Sequence, residues 1–200
     1  MSITIHVEGL DLAGKSTICR FIRDSFGFQL RNNILVPDNP TIQETDYLRK
    51  NGLLDDTSLG RRYYDALKYD LDHYIESAER IVQDSTIIVR SIAFHSVLGD
   101  PALAESFREL LPRHPRFTRS VVLVASDEVR LKRLEGRCSR KHDSPEDYLI
   151  KSNPDVFHRM EDIIIDLVVN QFGGSIIDSS EMEQDGAKDR IAQKILQGVL

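Results

Sequence analysis

Val7-Glu8-Gly9-Leu10-Asp11-Leu12-Ala13-Gly14-Lys15-Ser16-Thr17 decides how this chain reads. From Gly9 to Ser16 it satisfies the spacing G-x-x-x-x-G-K-[S/T], between a β-branched run, Ile3 to Val7, and an amphipathic stretch, Lys15 to Phe26. Strand, glycine-rich turn, then helix is the context a phosphate-cradling loop requires. Small residues such as Gly9, Ala13 and Gly14 let successive N–H groups converge on phosphate oxygens, and the positive helix N-terminus adds to their field. Lys15 can bridge the β- and γ-phosphates and Ser16 can ligate Mg²⁺. The stretch from Gly9 through Leu12 to Thr17 is therefore expected to bind Mg-ATP.

Outward from the loop, short apolar runs recur at Ile3 to Val7, Ile34 to Val36, Thr86 to Val89, Ser120 to Ala125 and Ser175 to Ile177, and each reads as a buried strand. Helical patterns lie between them at about Lys15 to Phe26, Leu59 to Gln83, Ala102 to Leu111, Glu128 to Arg137, Pro154 to Gln171 and Ala187 to Leu196. Strand–helix alternation predicts an α/β fold, a five-stranded parallel sheet with helices on both faces. With no repeat or long linker, the 200 residues read as one domain.

Composition narrows the function. The longest apolar run, Val121 to Ala125, is far shorter than the roughly 20 residues of a membrane-spanning helix, so no membrane association is expected. The N-terminus lacks the pattern of a secretory signal, which points to the cytosol. Cys19 and Cys138 have no disulfide or metal pattern and read as reduced thiols. A net charge of −6, with acids in excess in both halves, argues against a nucleic-acid binder. One segment runs against that balance. Arg130, Lys132, Arg133, Arg137, Arg140 and Lys141 face a single acid, Glu135, and would draw an anion. The six histidines show no metal spacing; His95 alone draws interest, because it follows Arg90 in the expected crevice.

Val7 to Thr17, with Glu8-Gly9-Leu10-Asp11 its informative part, resembles the opening of thymidylate kinases and, more distantly, deoxynucleoside kinases. The resemblance implies a P-loop kinase fold and places Asp11 near the acceptor's sugar. Ser85 to Ser96 resembles the third strand of this superfamily and the turn after it, where thymidylate kinases end the strand in Asp-Arg-Tyr or Asp-Arg-Phe and deoxynucleoside kinases in Glu-Arg-Ser. Aligned on Arg90, the acid position holds Val89, so Glu8 and Asp11 become the candidates to replace the acid, and Glu8 a candidate metal ligand. Arg90 at a strand end would fork onto phosphate. In the helix before that strand, Tyr64 and Lys68 share a face and are expected at the acceptor, Tyr64 stacking on a base. The Arg-Glu-Pro-Gly segment common in thymidylate kinases is absent.

The basic run resembles the lid of these kinases, at about 133–146. The loop position that carries an arginine in some thymidylate kinases holds Leu12, so the resemblance gives Arg137 or Arg140 the stabilisation of transferred charge and sets Arg133 beside the adenine. Ile176-Ile177-Asp178-Ser179-Ser180 resembles the last strand and its adenine-side turn. The favoured reading is ATP-dependent phosphoryl transfer to a nucleoside monophosphate held by Asp11, Tyr64, Lys68, Arg90 and His95. A nucleoside or related alcohol is the alternative acceptor, and a nucleotide-binding regulator or hydrolase without kinase activity is the third reading. Thymidylate kinases are commonly dimers, so the resemblance also implies a homodimer.

Overall fold

The computed structural model describes residues 2–137 and 148–199. Among these, β1 (Ile3–Glu8), β2 (Gln29–Asn32), β3 (Arg80–Asp84), β4 (Arg119–Val124) and β5 (Ser175–Asp178) form one parallel sheet in the order β2-β3-β1-β4-β5. The helices are α1 (Lys15–Phe26), α2 (Pro40–Lys50), α3 (Asp56–His73), α4 (Ile87–Val97), α5 (Pro101–Leu110), α6 (Asp127–Arg137), the single turn α7 (Leu149–Ser152), α8 (Pro154–Asp166), which runs into a π-helical turn at Leu167–Gln171, and α9 (Ala187–Leu196). The α/β class and the helices on both faces agree with the sequence.

Alternation along the strands assigns the two faces. Ile5, Val7, Val121 and Leu123 meet Ile18 and Ile22 of α1 and Ile191 and Ile195 of α9. Val122, on the opposite face, belongs to a second core with Leu67, Ile88, Ile92, Phe107 and Ile164 of α3, α4, α5 and α8. Parallel register sets Val7 beside both Asp84 and Val121, so the loops leaving β1, β3 and β4 share one edge. Cys19 is a free, buried thiol whose pKa burial pushes well up; Cys138 lies outside the described residues. No helix among the described residues is long and apolar enough to cross a membrane.

Two expected strands sit elsewhere. Ile34 to Val36 is loop, with Asp70 accepting hydrogen bonds from the N–H groups of Leu35 (2.6 Å) and Val36 (3.2 Å) in place of a strand neighbour. The strand is Gln29–Asn32, a half-exposed edge without an apolar run. The expected helix from Leu59 to Gln83 ends at His73, because Arg80–Asp84 is β3, paired on both sides by β1 and β2. Thr86 to Val89 is the start of α4: Thr86 caps it, its hydroxyl accepting from Val89 N–H at 3.4 Å. Helix α4 is buried nearly all round, which erases the polar stripe that would have marked it as a helix.

Val89 is 0% exposed in the core and holds no strand-end position. Val89→Asp is therefore expected to lower unfolding free energy by roughly 3 to 5 kcal/mol, the cost of an uncompensated buried charge. Urea unfolding checks this, and a variant within 1 kcal/mol of wild type would show that residue 89 faces a polar space.

Candidate active site

The loop between β1 and α1 is shaped by three residues with positive φ, Gly9 (143°), Leu12 (67°) and Gly14 (86°). A Cβ on Gly9 would run into the Leu123 carbonyl of β4, and one on Gly14 would come within 2.8 Å of the Met182 sulfur. Leu12 holds a left-handed conformation that a leucine rarely adopts, at 2% exposure in the core. Every carbonyl from Gly9 to Ala13 accepts from a side chain: Gly9 from Arg90 (3.2 Å), Leu10 from Lys15 Nζ (3.2 Å), Asp11 from Arg130 (2.9 Å), Leu12 from Arg133 (2.8 Å) and Ala13 from the Ser179 hydroxyl (2.7 Å). The N–H groups of Gly14, Lys15 and Ser16, at the uncapped start of α1, have no acceptor among the described residues. Those donors suit phosphate oxygens.

Asp11 projects from the loop to Arg90 of α4, whose Nη2 lies 3.2 Å from both carboxylate oxygens. Burial would raise the Asp11 pKa, but the charges of Arg90 and Lys15 outweigh it and hold the group at about 2. Burial and repulsion by Arg90 lower the Lys15 pKa, with Asp11, Asp84 and Glu8 acting against them. Glu8 is fully buried and accepts from Gly9 N–H (3.2 Å), Thr86 N–H (2.6 Å) and the Thr86 hydroxyl (3.2 Å). It ties the loop to the start of α4 and does not line the cleft, which removes it as a metal ligand.

Beside the loop opens a cleft of about 790 Å³. It is lined by Lys15, Ser16, Asp11, Asp84 and Arg90, by an apolar wall of Ile87, Phe94, Phe157 and Met160, and by His95, Tyr63 and Asp56. His95 is 3% exposed and its Nδ1 accepts from Asp100 N–H at 3.2 Å, which leaves the proton of the neutral ring on Nε2, facing Gly60. Burial lowers its pKa, with Asp100 and Asp56 acting the other way. Tyr64 and Lys68 do not line the cleft. Tyr64 packs edge-on against Phe107, with centroids 5.4 Å apart, and Lys68 is exposed with Nζ 5.7 Å from the Tyr64 ring centre. The neighbouring Tyr63 takes the cleft position instead. Asp46 and Arg49 of α2 also line it, on a helix missing from the sequence reading although Asn39-Pro40 announces it: the Asn39 side chain accepts from Thr41 N–H (3.0 Å) and Ile42 N–H (3.2 Å), with proline at the first position.

The basic run divides. Arg130 is 0% exposed, inside the fold. Arg133 donates to Leu12 O, to Ser179 O (2.7 Å) and to Glu183 (2.7 Å), joining the loop to the turn after β5 where the adenine is expected. Arg137 ends α6 close enough to Asp11 to lower its pKa. Arg140 lies outside the described residues.

No protein-family model matches the chain, and no curated protein matches its sequence. Solved structures do. Deoxyadenosine kinase from M. mycoides superposes with a TM-score of 0.61 at 18% identity, covering 98% of both chains. Thymidylate kinase from Candida albicans gives 0.60 at 16% identity, covering 97% of this chain and 89% of that one, and shikimate kinase from Acinetobacter baumannii 0.55 at 16%, covering 100% and 93%. The chain has the P-loop kinase fold.

Val89 lies in α4 and not at a strand end. Strand β3 ends at Asp84, an acid that is 8% exposed and lines the cleft with Lys15 and Ser16. Measured against the Asp-Arg pattern, the departure is the next residue: Ser85, in a left-handed conformation with φ 63°, stands where the pattern has arginine. Arg90 reaches the loop from α4 rather than from the strand end.

The charge balance at Asp11 gives a direct expectation. Its folded pKa lies below the ordinary value of 3.8, so the stability it contributes is present above about pH 4 and lost as the pH falls toward 2. The Asp11 carboxyl carbon, followed by NMR, should titrate near pH 2; a midpoint near 3.8 would show that Arg90 does not clasp it in solution.

Proposed function

We propose that the chain transfers the γ-phosphoryl group of Mg-ATP to a hydroxyl of a nucleoside-sized acceptor bound in the cleft. The observation that carries this reading is the convergence of Lys15 and Ser16 with Asp84 and the Asp11–Arg90 pair on one cleft. A hydroxyl must lose its proton as it attacks, and the Asp84 carboxylate is the base available at the strand end. Arg90 is already compensated by Asp11, so it serves charge that develops during transfer better than an anion bound beforehand. Arg137 adds a second cation on the same side.

The residues present fit Mg²⁺. The Ser16 hydroxyl is a hard oxygen donor on the cleft. That suits an ion held by one or two protein oxygens and by phosphate. When bound, it would neutralise charge on the β- and γ-oxygens.

A nucleoside monophosphate is the second reading, favoured by Arg20 and Arg49, which line the cleft with Arg90. A nucleotide-binding regulator or hydrolase without kinase activity is the third reading. A single domain, a cytosolic setting and a homodimer complete the proposal.

An acceptor panel of nucleosides, their 5′-monophosphates and simple phosphorylated alcohols, scored by ADP formation with Mg-ATP, tests the reading. With the best acceptor, Lys15→Ala and Asp84→Asn should each lower kcat by about 10²-fold or more with the fold intact by circular dichroism. Near-normal kcat in both would sink the assignment.

Arg90→Ala separates the two acceptors. With a hydroxyl acceptor the loss should fall chiefly on kcat. With a monophosphate it should raise acceptor KM by roughly 10- to 150-fold, matching one charge-assisted hydrogen bond of about 1.5 to 3 kcal/mol. If steady-state kinetics show both constants unchanged, Arg90 has no part in the site.

A further inference from the structure

The sequence presents Arg130 as one member of a basic run, yet its guanidinium is wholly enclosed. Nε donates to Ala125 O (2.9 Å), just past the end of β4; Nη1 donates to Asp11 O (2.9 Å); Nη2 is paired with Glu161 of α8. Its planar face lies 4.9 Å from the centre of the Phe157 ring, part of the apolar wall of the cleft. Each of the three guanidinium nitrogens makes a hydrogen bond, and each bond leads to a different part of the site: the strand end, the phosphate loop, and the helix carrying Phe157 and Met160. Burial lowers the Arg130 pKa and raises that of Glu161, and each partner's charge opposes the shift in the other.

We propose that Arg130 is a positioning residue, which sets the phosphate loop through the Asp11 carbonyl and locks the loop to the acceptor wall through Glu161 and Phe157. This rests on the phosphoryl-transfer reading only for its effect on rate. Asp11 carries Arg90 on its side chain, so a shift of its backbone moves the acceptor-side cation as well. Lysine cannot replace arginine here, because one ammonium on a flexible stem does not reach Asp11 O, Ala125 O and Glu161 together.

The test must separate positioning from mere support of the fold. Replacing a buried ion pair by apolar residues of similar volume is often neutral or stabilising, whereas removing one partner is not. The double variant Arg130→Met/Glu161→Met is therefore expected to melt near the wild-type temperature while its loop is released. Residue-resolved hydrogen exchange reads this without any ligand. Ala13, Thr17 and Ile18 N–H close the loop on Leu10 O and Gly14 O at 3.3, 3.1 and 3.1 Å, and should exchange about tenfold faster or more, with Val82 and Leu123 in the sheet unchanged. With the best acceptor, kcat should fall about 10²-fold, as for small misplacements of reacting groups.

Unchanged exchange at Ala13, Thr17 and Ile18, or faster exchange with unchanged kcat, overturns the proposal. Should the double variant not fold, Arg130→Lys, which keeps a charge for Glu161, is read by the same exchange criterion. If the wild-type protein transfers phosphate to no acceptor, the functional reading fails while exchange still decides the role of Arg130.

Discussion

The site depends on the direction in which five consecutive peptide groups face. The N–H groups open to an anion are those of Gly14, Lys15 and Ser16, and the carbonyls of the loop that leads into them must turn into protein or water. Here they turn into protein, and each of the five from Gly9 to Ala13 meets a side-chain donor. The donors come from α4, α1, α6 and the turn after β5, so the loop records the position of elements on every side. Four of the five are cationic, and three of these are paired with a carboxylate: Arg90 with Asp11, Arg130 with Glu161 and Arg133 with Glu183. Lys15 differs from the rest, because it must leave Leu10 O to reach a phosphate.

Topology explains why these elements meet. Strand β1 sends its chain toward β2, whereas β4 sends its chain toward β5, so the connections diverge between β1 and β4, where α/β sheets bind ligands. The loop leaving β1 lies over that gap. Gly9 is required there because the loop passes directly above the Leu123 carbonyl of β4. On the other side of β1, β3 delivers Asp84 at the same level, and α4 starts within two residues of Ser85. The apolar wall is built from parts distant in sequence, which meet only when the sheet is complete.

Much of this was legible in the sequence, and the exceptions have physical causes. Signals carried by local chemistry survived: the loop spacing, α1 and α9 to the residue, and the apolar runs of β1, β4 and β5. Failures cluster on the β2–β3 side. There an edge strand, Gln29–Asn32, lacks an apolar run because half of it faces water, and the apolar run at Ile34 to Val36 is a loop bonded to Asp70. The β-branched Ile87-Ile88-Val89 resembles a strand because this end of α4 is buried, and that shift of frame hid Asp84 and made Val89 look like a lost acid. Tyr63 and Tyr64 could not be told apart without knowing which face of α3 meets α5. Arg130 was invisible for a different reason: nothing local distinguishes an arginine whose partner, Glu161, lies 31 residues away.

Glu8 shows how the fold keeps both sides of the cleft in register. A carboxylate with no exposure is costly to bury ionised. Burial raises its pKa, but His6, with Nε2 3.5 Å away, and the charges of Arg90 and Lys15 more than reverse this, so the group stays below its ordinary value. Its oxygens then accept from Gly9 N–H at the start of the loop and from Thr86 at the start of α4. Those two points lead to Lys15 on one side and Arg90 on the other. An apolar residue here would leave the Thr86 N–H buried without a partner, and the helix that carries Arg90 would lose its anchor at the loop. Glu8 thus acts from behind the cleft: its oxygens fix the spacing between the start of the loop that leads to Lys15 and the start of the helix that carries Arg90.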